Sequence, residues 1–433
     1  MFGLIQRLAS ETTTTMYKVY KLKNYFIWLL VISLPFIVFV WLMLQNARAS
    51  PCPIHQSTTE RIGQLCNDPT NQNLSIMYIS DFQITPQQTH NASIVKITNN
   101  VKETSNSFFT NFTRLKNENL FQVLQDDHLS EANWSNYEHN FRVQNDLHYE
   151  FLLTGEDICL KDVPYLLIII PSVIGEVDRR DLLRKTWLRA AETNSWPRAE
   201  IKDKIKHIFL FGSHSKVARE ELQNLTKEAI LNNDIVMANF EDTYRNLTVK
   251  ILAGLKWTLK YCAKVTFVLK CDMDTLINVP LMINFLHYVQ NNRPSDKFVI
   301  GLKHNSDKPS VVRSETRWKV TTTEYPLPFY PRYFYGHTYA LSNGSLDVLI
   351  AMSNRTPLIA PEDAFITGIL SKIAGVFRLH APCFTVCCRK IFDCEIVWNT
   401  NVAITEINNN DRLERLWSNI VMNRCNKSKP ISE

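Results

Sequence analysis

The sequence predicts an α/β fold, a mostly parallel sheet with helices on both faces, placed after an N-terminal apolar span and a polar stem. Two observations predict the sheet. Past residue 160, short continuous apolar runs such as Tyr165–Ile170 alternate with stretches of helical period. Those runs are apolar throughout, the pattern of strands buried on both faces. A third observation sets the layout: Tyr25–Leu44 is twenty residues without a charge.

At about 1.5 Å per residue that span covers about 30 Å, a bilayer core. Pro35 sits mid-span, which membrane helices tolerate, and Trp28 and Trp41 lie toward its ends. Arg7, Lys18, Lys21 and Lys23 precede it, opposed by Glu11, whereas Arg48 is the one nearby cation after it. The positive-inside rule therefore predicts a cytosolic tail at 1–24, a signal-anchor at 25–44 and a lumenal remainder. Ala47-Arg48-Ala49 resembles a cleavage site, but the apolar run is too long for a cleaved signal. The nine Asn-x-Ser/Thr sequons (Asn73, Asn91, Asn111, Asn133, Asn224, Asn246, Asn343, Asn354 and Asn426) and all ten cysteines lie after the span, as a lumenal, oxidising setting requires. Cys383, Cys387, Cys388 and Cys394 match no common zinc frame and read as disulfides plus a free thiol. The net charge of +6 is spread along the chain, which argues against a nucleic-acid partner.

Residues 45–150, rich in Asn, Gln, Thr and Ser, read as a stem, with 108–150 aromatic enough to dock on the catalytic domain. That domain is expected over 151–433. Its elements come in order: strand Tyr165–Ile170 closed by Pro171, helix Asp178–Ala191, strand His207–Phe211 stopped by Gly212, and strand Asp234–Phe240. Asp242 then caps a helix running to Cys262, with Leu247, Ile251, Leu255 and Leu259 on its inner face. Strand Val265–Leu269, helix Val279–Gln290 and strand Lys297–Leu302 complete the pattern. Ligands in such sheets bind beyond the carboxyl ends of strands.

Lys270-Cys271-Asp272-Met273-Asp274 lies at such an end. Carboxylates at i and i+2 can share a hard divalent cation and its diphosphate, although Asp-x-Asp alone is common in solvated turns. Here the resemblance is specific. KCDMDTLIN, Lys270 to Asn278, resembles the beta-1,3-galactosyltransferase family's Lys-x-Asp-Asp-Asp-x-x-x-Asn motif, with Met273 in place of the middle aspartate. Four further blocks are similar and in the same order: Arg179 to Trp187; Phe240 to Lys250, with Trp257 and Cys262 after it; Tyr330 to Ser342; and Pro361-Glu362-Asp363 with Gly368. Together they span about residues 160–385. The family's Gly-x-Gly-Tyr turn reads Gly336-His337-Thr338-Tyr339 here, and Ala364 and Phe365 also depart from its pattern.

The resemblance implies a nucleotide-diphospho-sugar transferase of GT-A type, a single Rossmann-like domain (glycosyltransferase family 31). It implies an inverting glycosyltransferase that moves galactose or an N-acetylhexosamine from a UDP-sugar to a glycoprotein or glycolipid in beta-1,3 linkage. A Golgi membrane location and Mn2+ come with it, and a homodimer is compatible. The implied metal ligands are Asp274 and Asp272, the latter also meeting the cofactor side. Inversion needs a base on the acceptor hydroxyl; the Glu362–Asp363 pair is the candidate and the family favours Asp363, against a reading as a helix-terminal acidic pair. Arg180 and Arg184 are candidates for phosphate or nucleotide contacts, against a reading as a solvated helix face. Trp187 reads as core, and Lys250 and Lys270 as ion-pair partners. The alternative function is a non-catalytic lumenal chaperone or lectin-like relative; retention of Asp272, Asp274, Glu362 and Asp363 speaks against it.

Overall fold

The computed structural model describes residues 120–139, 145–213, 218–382, 384, 386–387 and 402–422, all within one compact unit, Cys66–Glu433. The expected span Tyr25–Leu44, most of the stem, the sequons at Asn73, Asn91, Asn111 and Asn426, and Cys383, Cys388 and Cys394 lie outside the described residues. Among the described residues, no helix is long and apolar enough to cross a membrane.

In chain order the elements are β1 (Gln122–Val123), α1 (Glu131–His139), β2 (Phe151–Leu153), β3 (Leu166–Pro171), α2 (Val177–Leu183), β4 (Ile205–Ser213), α3 (Arg219–Asn232), β5 (Ile235–Glu241), α4 (Leu247–Tyr261), β6 (Phe267–Cys271), β7 (Leu276–Ile277), α5 (Val279–Asn292), β8 (Phe298–Lys303), β9 (Phe334–Ser342), α6 (Asn343–Ser353), β10 (Phe377–His380), β11 (Val386–Cys387), β12 (Ala403–Thr405) and α7 (Asn410–Val421). A π-helical turn, Arg184–Leu188, carries α2 on to a last short turn, Arg189–Glu192. The nine-stranded sheet has the order β1-β10-β8-β9-β6-β3-β4-β5-β2, and β11-β12-β7 form a small second sheet.

Alternate residues of the central strands go to opposite faces, as strand geometry requires. Leu166, Ile168 and Ile170 join a core beneath Leu183 and Trp187, while Leu167 and Ile169 join a second core beneath Ile251, Leu255 and Trp257. Both faces are covered, which is why β3 is apolar throughout.

The sheet is mostly parallel, as expected: β3, β4, β5, β6, β8 and β10 share one direction, while β9 runs antiparallel between β6 and β8, and β1 and β2 are antiparallel edges. Part of the segment expected to dock on the catalytic domain does so: β1 pairs with β10, and Trp134 and Tyr137 are buried in the second core. β4 does not stop at Gly212 but continues to Ser213. Asp242 is not a helix cap. A 3-10 turn, Tyr244–Asn246, precedes α4, and Asp242 accepts the Gly212 N–H (2.9 Å) and pairs with Lys250 Nζ (2.7 Å). Cys159 and Cys262 form a disulfide across 103 residues, and Cys271 is a free buried thiol. The sequon Asn246 donates its amide to Glu241 O at 2.8 Å.

Candidate active site

The site forms where β6 ends beside the start of β9. Phe267–Cys271 is buried, and the chain leaves the sheet at the half-buried Asp272. Because β9 is antiparallel to β6, Cys271 lies opposite Thr338, and Asp272 N–H donates to His337 O at 2.9 Å. This register sets His337 over the Asp-x-Asp turn. Ligand atoms of Asp272, Asp274 and His337 all lie within 4.8 Å of one another, and all three side chains are half-buried. Burial and the neighbouring Asp272 carboxylate push the Asp274 carboxyl above its ordinary range.

The turn is braced from two directions. Arg179 donates to Met273 O (2.9 Å), Ile407 O (2.6 Å) and Asn410 Oδ1 (2.9 Å), while Ile407 N–H donates to Asp274 O at 2.8 Å. The segment after β12 is thus stitched to the carboxylate turn. On it, Glu406 has a left-handed φ of 63°, and its Oε1 lies 3.9 Å from His337 Nε2. A left-handed glutamate is uncommon and marks a backbone held by its surroundings.

Lys270 connects this cluster to the second acidic pair. Its buried ammonium contacts Asp272 Oδ1 (2.5 Å), Glu362 Oε1 (3.0 Å) and Gly336 O. Burial opposes its charge, but Asp272 and Glu362 outweigh that and hold it protonated. Glu362 is 3% exposed and also accepts the Tyr339 hydroxyl at 2.8 Å. Burial drives the Glu362 carboxyl up to about 7, against the pull of Lys270. Asp363 is half-buried and accepts the Ala364 N–H at 2.8 Å. Burial raises its carboxyl as well, partly offset by the Ala364 N–H, Lys270 and the Gly336 N–H. A Cβ on Gly336 would meet Glu362 Oε1 at 3.1 Å and Asp363 Oδ2 at 3.2 Å, so glycine is what lets β9 pass this close to the pair.

The structure therefore gathers Asp272, Asp274, Glu362 and Asp363 around Lys270 and Gly336. It does not bring Arg180 and Arg184 to them as phosphate ligands. Arg180 is fully buried and donates to Glu228, Ser172 Oγ, Val173 O and Ile174 O. Arg184 pairs with Asp181, Glu228 and Asp234. The expected phosphate contacts give way to an internal ion-pair network, because both guanidinium groups find their acceptors within the domain. Trp187, Lys250 and Lys270 are buried as read: Trp187 in the core, the two lysines in ion pairs. Neither His337 as a candidate ligand nor Arg179 as a brace is legible as such in the sequence. Its one signal for His337 was the altered Gly-x-Gly-Tyr turn.

The galactosyltransferase family model matches residues 178–382. Among curated relatives, human beta-1,3-galactosyltransferase 9 is 28% identical over 247 residues, 56% of this chain and 62% of the relative. Mouse beta-1,3-galactosyltransferase 4 is 28% identical over 245 residues, 50% of this chain and 62% of the relative. The matched part thus spans less than two thirds of these relatives. A solved galactosyltransferase, LgtC with donor and acceptor sugar analogues, overlaps 58% of this chain and 95% of its own at 11% identity and a TM-score of 0.32, too slight a likeness to carry an argument. Residues 178–382, which hold both acidic pairs, match the galactosyltransferase family model over just under half of the chain.

Proposed function

We propose that the protein is an inverting, UDP-sugar-dependent hexosyltransferase of GT-A type that builds a beta-1,3 linkage to a glycan on protein or lipid. The observation that carries this reading is a pair of carboxylate groups joined by Lys270: Asp272 and Asp274 with His337, and Glu362 with Asp363 beside Gly336. A transfer with inversion needs charge neutralisation for the leaving diphosphate and a separate base for the acceptor. Two carboxylates and an imidazole within 4.8 Å suit a divalent cation, Mn2+ among them. Held there by Asp272, Asp274 and His337, it would neutralise charge on the departing diphosphate.

Asp363 is the base in this reading. Both Glu362 oxygens are engaged, one by Lys270 and one by Tyr339, and the residue is buried, whereas Asp363 keeps partial access to solvent. The acceptor oxygen bonds to C1 of the sugar and its proton passes to the Asp363 carboxylate. The bond from C1 to the diphosphate oxygen breaks, its electron pair leaving with UDP. Lys270 holds Asp272 and Glu362 at a fixed separation, so the two sides of the site keep their spacing. Anchoring by Tyr25–Leu44 in the Golgi membrane, with this domain in the lumen, completes the proposal.

The test is a panel of UDP-galactose, UDP-N-acetylglucosamine and UDP-N-acetylgalactosamine, assayed with Mn2+ and with chelator. One donor is expected to turn over, and to stop on chelation. Asp363→Asn should lower turnover by about 10²-fold or more, the usual scale of general-base loss, with UDP affinity unchanged by titration calorimetry. Near-normal turnover in that variant, or silencing by Glu362→Gln instead, would remove Asp363 from the role.

A further inference from the structure

Beside the acidic pair stands a group of aromatic side chains that the core does not use. Tyr244 is 44% exposed and Trp318 45% exposed, unusual for rings of this size. They come from distant parts of the chain and are joined by a cation. The Arg317 guanidinium lies 4.4 Å from the Trp318 ring centroid and 5.1 Å from that of Tyr244.

The group is held out rigidly. Arg313 donates to Val320 O (2.9 Å), Tyr325 O (2.7 Å) and Leu327 O (2.9 Å), bracing the base of the loop that carries Trp318. Val320 and Tyr325 are fully buried. From the other side Arg245, next to Tyr244, donates to Lys319 O (3.1 Å) and to Glu324 Oε1 (2.8 Å). Two exposed rings kept in place by this many bonds are preorganised for a ligand.

Their position points to which ligand. One turn past Tyr244, Thr248 Oγ1 donates to Ile359 O at 2.6 Å and reaches Ala360 O at 3.3 Å. That contact clamps the start of α4 to the residues leading into Glu362 and Asp363. Burial raises the Tyr244 hydroxyl's pKa, opposed by Arg317 and a hydrogen bond with Trp318, and Asp363 and Glu362 add smaller upward contributions. Tyr244 therefore lies near the acidic pair, and Trp318 is joined to it through Arg317. Sugar rings present a face of C–H groups and an edge of hydroxyls, matched by an apolar ring plane with a few polar groups at its rim.

We propose that Tyr244, Arg317 and Trp318 form the acceptor subsite, seating one pyranose ring of a glycan on Trp318 with its reacting hydroxyl toward Asp363. The proposal rests on the transferase reading, and it separates acceptor binding from donor binding. Trp318 and its loop would set how tightly the acceptor is held and would leave UDP and cation binding alone.

The experiment uses the full chain and its Trp318→Ala, Trp318→Phe and Tyr244→Ala variants. Methyl β-glycosides of galactose, N-acetylglucosamine and N-acetylgalactosamine serve as probes, with binding read by saturation-transfer NMR and UDP affinity by calorimetry. One glycoside is expected to bind the native chain and to lose its ring-proton contacts in Trp318→Ala, with UDP affinity unchanged and Trp318→Phe keeping most of the contact. In turnover, the acceptor KM should rise about tenfold or more, with donor KM and donor hydrolysis by water unchanged. Glycoside binding equal in Trp318→Ala and the native chain, or no glycoside binding to the native chain, would overturn the proposal. So would a variant whose only change is its oligomeric state, which would make the rings a contact between copies. Failure of UDP to bind the native chain would instead sink the transferase reading, a separate result.

Discussion

Two buried charge clusters lie on the same sheet and differ in how their charges balance. Around the starts of β4 and β5, Arg180, Arg184 and His207 face Glu228, Asp234 and Glu192, each in contact with at least one partner of opposite sign. The partners favour the charged forms. Glu228 and Asp234 are held below the usual carboxylate range despite burial, and His207 is carried up to about 9 by Glu192 and Asp234 although burial opposes it. At the end of β6, one buried lysine faces Asp272 and Glu362 with Asp363 and Asp274 close behind, and Glu362, Asp363 and Asp274 are all pushed upward. A cluster whose charges cancel locks the fold. One with surplus negative charge is poised to take a cation and a proton from outside, and strain of that kind gathers at functional sites.

Three variants would break or sharpen this contrast. The largest effect belongs to Glu228→Ala, which strips a shared partner from Arg180 and Arg184 and leaves a fully buried guanidinium undercompensated. Breaking a buried pair from one side costs about 3–5 kcal/mol, so the denaturant midpoint should fall steeply. A loss under about 1 kcal/mol would show that the network is not a structural lock.

His207 gives the next effect, through pH. Its folded pKa of about 9 lies above the ordinary 6.5, so its contribution is fully present below pH 6.5 and is lost as pH rises through 9. The whole contribution is on the order of 3 kcal/mol, at 1.36 kcal/mol per unit. Stability of the native chain should therefore decline across that window while His207→Gln shows a flatter course. Parallel slopes would mean that His207 is not charged in the fold.

The smallest effect has the opposite sign. Asp274→Asn removes a carboxylate that burial and Asp272 both disfavour, so the metal-free protein should gain about 1 kcal/mol in thermal unfolding. Addition of Mn2+ should stabilise the native chain and not the variant. A metal-free variant less stable than the native chain would show that Asp274 supports the fold, and a retained Mn2+ shift would take Asp274 out of the ligand set.

Much of the central sheet was legible because its signal is local. Leu166–Ile170 and Phe267–Leu269 are apolar runs bounded by breakers, and α4 sets Leu247, Ile251, Leu255 and Leu259 against the second core at every fourth residue. β9 was not legible as a strand: Phe334–Ser342 mixes glycine, histidine and aromatic residues, and its antiparallel place between β6 and β8 depends on partners far along the chain. β1 and β2, two and three residues long, carry no periodic signal at all.

The sequence by itself determined the alternation of strands and helices, the carboxylates at a strand end, and the second acidic pair, since composition, period and motif order act within a few residues of each group. Only the tertiary structure decided which charges are spent and which remain. Arg180 and Arg184 offer the same donors as any phosphate-binding arginine. What commits them inward is Glu228 and Asp234, 48 and 50 residues along the chain. His337 faces Asp272 and Asp274 because β9 runs antiparallel to β6 in a register that pairs Cys271 with Thr338. The reach of a side chain is local, but its partner is chosen by the fold, and electrostatic fate goes with the partner.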